Sequence, residues 1–179
     1  EKVYSVAARY PQFTFSINLS FKDIQDVRIL DYIVNQCLRF KIKPQQIVFE
    51  LLETEAIDDQ QKSISFFTEL KRAGFAIAID DVGTGHSNFA NLSMMQVDFI
   101  KIDGQFVKDI TSNPNSLAIT KSTSEFAKVM GAQPIAEFVK DEATLQKVRE
   151  LDIDYAQGFV ISQAVAESEI DALLQKFNS

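Results

Sequence analysis

The sequence is poor in the side chains from which disulfides and zinc sites are built, since it contains one cysteine, Cys37, and one histidine, His86. A single cysteine excludes an intrachain disulfide and any metal site with several thiolates, and a single histidine argues against zinc. Cys37 falls on the apolar face of a helical pattern, which predicts a small core residue. His86 follows a glycine-rich turn, and we interpret it as a loop residue rather than a catalytic base.

Long apolar runs and an excess of positive charge are also missing. No run approaches the roughly 20 residues needed to cross a bilayer, and the chain does not open with the features of a signal peptide. We therefore expect a cytoplasmic segment without membrane contact. The net charge of −7 argues against DNA or RNA as a partner, because nucleic-acid binding requires clustered lysine and arginine. A small anionic substrate held through divalent cations is compatible with this charge.

What is present is an alternation of strand-like and helix-like segments. Six apolar runs recur roughly every 20 to 35 residues, which is the spacing of βα units. The pattern predicts one α/β domain with a parallel sheet, and Asp26 and Ser168 are predicted to cap two of its helices. The predicted strands cover residues 14–20, 47–53, 75–82, 97–103, 133–139 and 155–160.

Polar side chains stand at or near the carboxyl end of each predicted strand. In a (β/α) barrel this end carries the active site. A single polar residue of this kind could be a helix cap or a satisfied core group, but agreement among six strands predicts a functional site. The residues are Asn18, Glu50, Asp80, Asp81, Lys101, Asp103, Glu137 and Gln157.

The residue types point to a site for divalent cations. Asp80 and Asp81 are adjacent carboxylates at the end of an apolar strand, and a metal ion would offset their repulsion. Asn18, Glu50 and Asp80 offer only oxygen, which suits Mg²⁺, Mn²⁺ or Ca²⁺ rather than zinc. Asp81 could let a second ion lie about 3.5–4 Å from the first, an arrangement that stabilises phosphoryl transfer.

Two further residues have the chemistry of water activation. Lys101 is suited to hold or polarise an attacking water, and Glu137 to bind metal or to accept the proton of that water. The residues alone leave an alternative open. Oxygen ligands on three consecutive strands followed by a lysine also fit an enolase-type barrel, in which metal stabilises an enolate and the lysine removes a proton.

Six motifs occur in the order and strand context of the EAL domain, and the chain resembles that family of cyclic di-GMP phosphodiesterases. The resemblance implies a TIM-like (β/α) barrel that uses Mg²⁺ or Mn²⁺ to hydrolyse cyclic di-GMP to the linear dinucleotide in bacterial second-messenger signalling. The motifs are Ser16-Ile17-Asn18-Leu19-Ser20, Phe49-Glu50-Leu51-Leu52-Glu53, Asp80-Asp81-Val82-Gly83-Thr84-Gly85-His86-Ser87, Ile100-Lys101-Ile102-Asp103, Ala136-Glu137-Phe138-Val139 and Gln157-Gly158-Phe159.

The resemblance also implies a role for individual residues. Asn18, Glu50 and Asp80 would bind the first metal ion. Asp80 would be shared with a second ion that Asp81 helps to hold, giving two ions in a complete domain.

The remaining roles that the resemblance implies concern the attacking water and the residues that support the site. Lys101 would orient the water, and Glu137 would act at the metal and accept the proton. Gln157 would support the site, and Glu53 would brace the glycine loop.

The sequence departs from the family pattern in two respects. The Glu-Ala-Leu tripeptide is absent, so residues 1–179 are expected to form an EAL-type domain without its first two strands, an incomplete barrel with six of eight strands. Its open edges predict a homodimer or another partner that covers them, and this stretch alone is expected to hydrolyse little substrate.

Phe138 and Lys140 stand where the family usually has Gly and Glu, and Val82 replaces the usual Phe. A degenerate domain that binds cyclic di-GMP or a protein without catalysis is therefore a second alternative.

Overall fold

The computed structural model describes residues 1–83 and 89–177. Its centre is a parallel sheet of six strands that pair in chain order, from β1 at one edge to β6 at the other. This confirms the predicted α/β architecture with an incomplete barrel. The strands are β1 (Phe15–Asn18), β2 (Ile47–Leu52), β3 (Ala76–Val82), β4 (Phe99–Ile102), β5 (Gln133–Ala136) and β6 (Tyr155–Ala156).

Helices connect the strands and cover the outside of the sheet. Several begin at a side chain that accepts hydrogen bonds from the first turn: Asp59 precedes α5, Asn113 precedes α8 and Asp141 precedes α9. Such caps satisfy amide groups that have no partner inside the helix. The helices are α1 (Lys2–Arg9), α2 (Phe21–Gln25), α3 (Ile29–Phe40), α4 (Glu53–Asp58), α5 (Gln60–Arg72), α6 (Phe89–Leu92), α7 (Gly104–Val107), α8 (Pro114–Val129), α9 (Glu142–Glu150) and α10 (Ile170–Lys176), with 3₁₀ turns at Pro44–Gln46 and Glu167–Glu169.

Two predicted caps are wrong. Ser20 and Asp23 form a capping box that starts α2, and Asp26 then ends that helix. Its carboxylate accepts hydrogen bonds from the backbone and guanidinium of Arg28, instead of capping α3. Ser168 lies inside the second 3₁₀ turn, and α10 begins two residues later at Ile170.

The last strand is shorter than predicted, because the chain turns sharply after Ala156. The Val139 amide donates to the Gln157 carbonyl at 3.0 Å. A side chain on Gly158 would collide with the Val139 backbone, so this close approach of two backbones requires glycine. The turn places Gln157 and the residues after it next to the carboxyl end of β5.

The core is built from branched and aromatic side chains of the central strands. All residues of β2 up to Leu51 are buried, as expected for a strand covered on both faces. Phe49 packs edge-on against Phe75, with ring centroids 5.3 Å apart. Cys37 is buried in the same core and has a free thiol, as its position on the apolar face of a helix predicted.

The sheet is open between β1 and β6, each of which pairs on one side only within the described residues. Two exposed ion pairs link α1 with the carboxyl-terminal segment: Lys2 to Glu167 at 2.6 Å and Arg9 to Asp171 at 2.8 Å. Across residues 1–83 and 89–177, no helix combines the length and apolar character that a bilayer span requires.

Candidate functional site

A buried lysine joins three carboxylates at the carboxyl end of the sheet. The Lys101 ammonium donates to Glu50 at 2.9 Å and to Asp80 at 2.9 Å, and it contacts Glu137 at 2.8 Å. Only 4% of Lys101 is exposed. Three anions around one cation leave net negative charge in a site largely withdrawn from water, which is an environment that favours binding of further cations.

Strand register explains why these four side chains meet. Glu50 lies opposite Ala78, and Asp80 follows two residues later, so the two carboxylates point to the same face of the sheet. Lys101 lies opposite Ile135, and Glu137 again follows two residues later on the same face. The parallel arrangement therefore brings together charges that lie far apart in the sequence.

A backbone irregularity in β3 places Asp81 beside this cluster. The register of β3 against β4 shifts between Ile79 and Val82, and Asp81 has a left-handed backbone with φ of 59°. Its amide donates to the Asp80 carboxylate at 2.9 Å. Consequently one carboxylate oxygen each from Asp80, Asp81 and Glu137 lie within 4.8 Å of one another, close enough to hold one metal ion.

Burial and mutual repulsion change the ionisation of the site. Burial raises the pKa of the Glu137 carboxyl above its usual value, although the Lys101 ion pair acts in the opposite direction. Burial and the neighbouring charges of Asp80 and Asp103 raise the pKa of Asp81. Burial alone would lower the pKa of Lys101, but its bonds to the carboxylates outweigh burial and raise it, so the lysine is charged.

The other candidate residues lie around this cluster. Asn18 is exposed and lies in register with Glu50 on the neighbouring strand, so both side chains point to the same face. Gln157 is exposed and lines a cleft with Glu137. Glu53 is 1% exposed at the start of α4. The glycine-loop residues that it was predicted to brace, with His86 among them, lie outside the described residues.

Asp103 has a structural task. Its carboxylate caps α7 by accepting a hydrogen bond from the Gln105 amide at 2.7 Å, and it accepts a second from the Gln105 side chain at 3.1 Å.

A cleft of about 810 Å³ opens beside the cluster. Asp81 and Glu137 line it together with Phe138, Phe159 and Lys140. The volume is in the range of pockets that hold small-molecule ligands. The cleft thus combines an acidic part suited to cations with an aromatic and basic part.

Phe138 has an uncommon conformation for a bulky residue. Its φ is 54°, in the left-handed region. The chain also passes so close to α7 that a Cβ added to Gly104 would lie 2.6 Å from the Phe138 Cβ. Glycine at position 104 is therefore required by the position of Phe138.

Sequence reasoning did not find the joint contact of Lys101 with Glu50, Asp80 and Glu137. The available signal was a lysine between two isoleucines of a buried strand, because such a charge needs anionic partners. The identity of the partners depends on the register of four strands, which residue types do not determine.

The sequence profile of the EAL domain matches residues 1–164, and the chain belongs to this family. The chain is 36% identical over 148 residues to the cyclic di-GMP phosphodiesterase PdeB of Shewanella oneidensis, with 83% of the chain and 17% of PdeB covered. It is 36% identical over 146 residues to the cyclic di-GMP phosphodiesterase PdeA of Borreliella burgdorferi, with 82% and 22% covered. The chain spans about a fifth of the length of these relatives.

Solved EAL domains share the fold. The EAL domain of Mycobacterium smegmatis DcpA matches with a TM-score of 0.90 at 27% identity, over 97% of this chain and 80% of that domain. Klebsiella pneumoniae BlrP1, in complex with manganese and cyclic di-GMP, matches with a TM-score of 0.83 at 27% identity, over 90% of this chain and 42% of that one. The six-stranded sheet is therefore part of a TIM-like barrel.

Proposed function

We propose that this domain hydrolyses one phosphodiester bond of cyclic di-GMP to give the linear dinucleotide, using Mg²⁺ or Mn²⁺. The observation that carries the proposal is the buried cluster of carboxylates around Lys101, with Asp81 beside it, at the carboxyl end of the sheet. Family membership and the relatives named as cyclic di-GMP phosphodiesterases support it. They favour this chemistry over the enolase-type alternative.

The carboxylates fit a hard divalent cation. One carboxylate oxygen each from Asp80, Asp81 and Glu137 lie within 4.8 Å of one another, and oxygen ligands are those that Mg²⁺ and Mn²⁺ prefer. Asn18, Glu50 and Asp80 would hold a first ion, and Asp80 would be shared with a second ion that Asp81 helps to hold in the complete domain. When bound, the cations lower the pKa of water and offset the charge of the phosphodiester.

Lys101 and Glu137 supply the chain's own part of the reaction. The Lys101 ammonium has several hydrogen-bond donors, so a water oxygen can replace one carboxylate and be held in place for attack. Glu137 accepts the proton of that water, since its carboxylate lies at the cluster that would bind the cations. Gln157 lines the cleft and would support the site, and Glu53 would brace the glycine loop.

The test is hydrolysis of cyclic di-GMP by the complete domain with Mn²⁺, followed by chromatography of the linear dinucleotide. Lys101→Ala should lower turnover by about 10²-fold or more while substrate still binds, because it removes the group that positions the water. Glu137→Gln should abolish turnover. Lys71→Ala is the matched control, because Lys71 also forms an ion pair, with Asp98 at 2.6 Å, away from the cleft.

The outcomes separate the alternatives. Product from the wild-type complete domain that is lost in both site variants supports the proposal. Binding of cyclic di-GMP without product would establish the degenerate, binding-only domain. A chain that neither binds nor hydrolyses cyclic di-GMP would overturn the proposal.

A further inference from the structure

Two aromatic rings lie exposed on the cleft next to the carboxylate cluster. Phe138 is 55% exposed and Phe159 is 65% exposed. Their ring centroids are 6.4 Å apart, and the ring planes are inclined by only 32°. Both residues line the cleft that also contains Glu137, the residue directly before Phe138. The two rings therefore present apolar faces to the space that a ligand of the site would enter.

The backbone of Phe138 does not suit a phenylalanine. A left-handed φ of 54° is an outlier for a bulky residue, and the Cβ also restricts position 104 to glycine. Burial of the ring offers little compensation, because more than half of the residue is exposed. Strained residues of this kind cluster at ligand clamps and active sites. The strain at Phe138 thus indicates that its ring contacts a ligand.

The surroundings of the rings define the chemistry of that ligand. Lys108, Lys140 and Gln157 line the same cleft. Aromatic faces combined with lysines are the usual means of binding a nucleotide, because bases stack on the rings and phosphates pair with the cations.

We propose that Phe138, together with Phe159, stacks against a purine base of the substrate and thereby sets the specificity of this site. The inference rests on the proposed function, since the purine is a guanine of cyclic di-GMP. Lys108 and Lys140 pair with the phosphates. Stacking on Phe138, the neighbour of Glu137 in the chain, holds the base next to the carboxylate cluster.

The experiment is a calorimetric titration of the full chain with cyclic di-GMP in the presence of Ca²⁺. Ca²⁺ takes oxygen ligands, and a calcium complex with cyclic di-GMP is known for BlrP1. Phe138→Leu keeps the apolar bulk and the strained backbone but removes the aromatic face. It should weaken binding by about 5- to 150-fold, the range found when one stacking aromatic is lost.

Tyr155→Leu is the matched control. Tyr155 is 47% exposed and also packs against another ring, that of Phe99 at 5.8 Å, but it lies at the amino end of β6. Its replacement should leave the affinity for cyclic di-GMP unchanged. A second readout uses a cyclic dinucleotide that carries 2-aminopurine, whose fluorescence falls on stacking. The quenching should be strong with wild type and Tyr155→Leu and weak with Phe138→Leu.

Each result either supports or overturns the inference. Equal affinity and equal quenching in wild type and Phe138→Leu would overturn it while leaving the proposed function intact. Tighter binding by Phe138→Leu would also overturn it, because the ring would then obstruct the cleft. If the wild-type chain binds no cyclic di-GMP, the proposed function fails and the inference fails with it.

Discussion

The central strands and the edge strands of the sheet end in polar side chains that differ in environment. At the carboxyl ends of β2 to β5, four side chains form one ionic cluster with contacts of 2.8–2.9 Å: Glu50, Asp80, Lys101 and Glu137. Asn18 at the end of β1 and Gln157 after β6 are exposed. A strand with neighbours on both sides can bury a charge and surround it with partners, whereas an edge strand leaves its polar residues in water. We therefore expect the central residues to contribute to stability as well as to the proposed metal binding, and the edge residues to affect stability little.

The largest expected effect comes from removing the cation at the centre of the cluster. Lys101→Met should lower the free energy of unfolding by about 3–5 kcal/mol in the presence of a chelator, because it leaves buried carboxylates without their partner. Urea denaturation measures this loss. At the edge, Gln157→Ala should change stability by less than about 0.5 kcal/mol, since its side chain is exposed. Equal losses in the two variants would abolish the distinction between centre and edge.

A second measurement asks which carboxylates bind metal. Asp80→Asn should weaken Mn²⁺ binding by at least about tenfold, because it removes a charge next to Asp81 and Glu137. Asp103→Asn should have little effect, because Asp103 caps α7 and asparagine is also a good cap. Calorimetric titration of both variants with Mn²⁺ provides the comparison. If Asp103→Asn loses as much affinity as Asp80→Asn, the proposed set of ligands is wrong.

The smallest effect is expected at the first edge strand. Asn18→Ala should leave the free energy of unfolding within about 0.5 kcal/mol of wild type, because the side chain is exposed. It should nevertheless weaken Mn²⁺ binding, by less than Asp80→Asn, since a neutral ligand contributes no charge. Unchanged Mn²⁺ affinity together with unchanged stability would remove Asn18 from the site.

Part of this structure could be predicted because parallel strands all end at the same edge of a sheet. The alternation of apolar runs and helical patterns was sufficient to predict six strands and to place Glu50, Asp80 and Glu137 near one another. The short helices α4 and α7 were not found, because six and four residues are too few to show a helical period. Helix α2 could have been found from the capping box of Ser20 and Asp23.

The geometry of Asp81 was beyond sequence reasoning for a different reason. Its position depends on the irregularity between β3 and β4, and on a left-handed backbone at a residue that is not glycine. Both features arise from how neighbouring strands fit together. Residue types along one strand carry no information about that fit, so two adjacent aspartates could be recognised as a pair but not placed relative to Glu137.

The close approach of Gly104 and Phe138 constrains how the protein can evolve. A Cβ at position 104 would lie 2.6 Å from the Phe138 Cβ, and this atom is fixed by the backbone rather than by a flexible side chain. A lineage with phenylalanine at position 138 therefore cannot acquire a side chain at position 104 without moving the loop that carries Glu137. The order of mutations therefore matters. Position 104, at the start of α7, can accept a side chain only after the Phe138 backbone has moved away or after position 138 has become glycine, which has no Cβ.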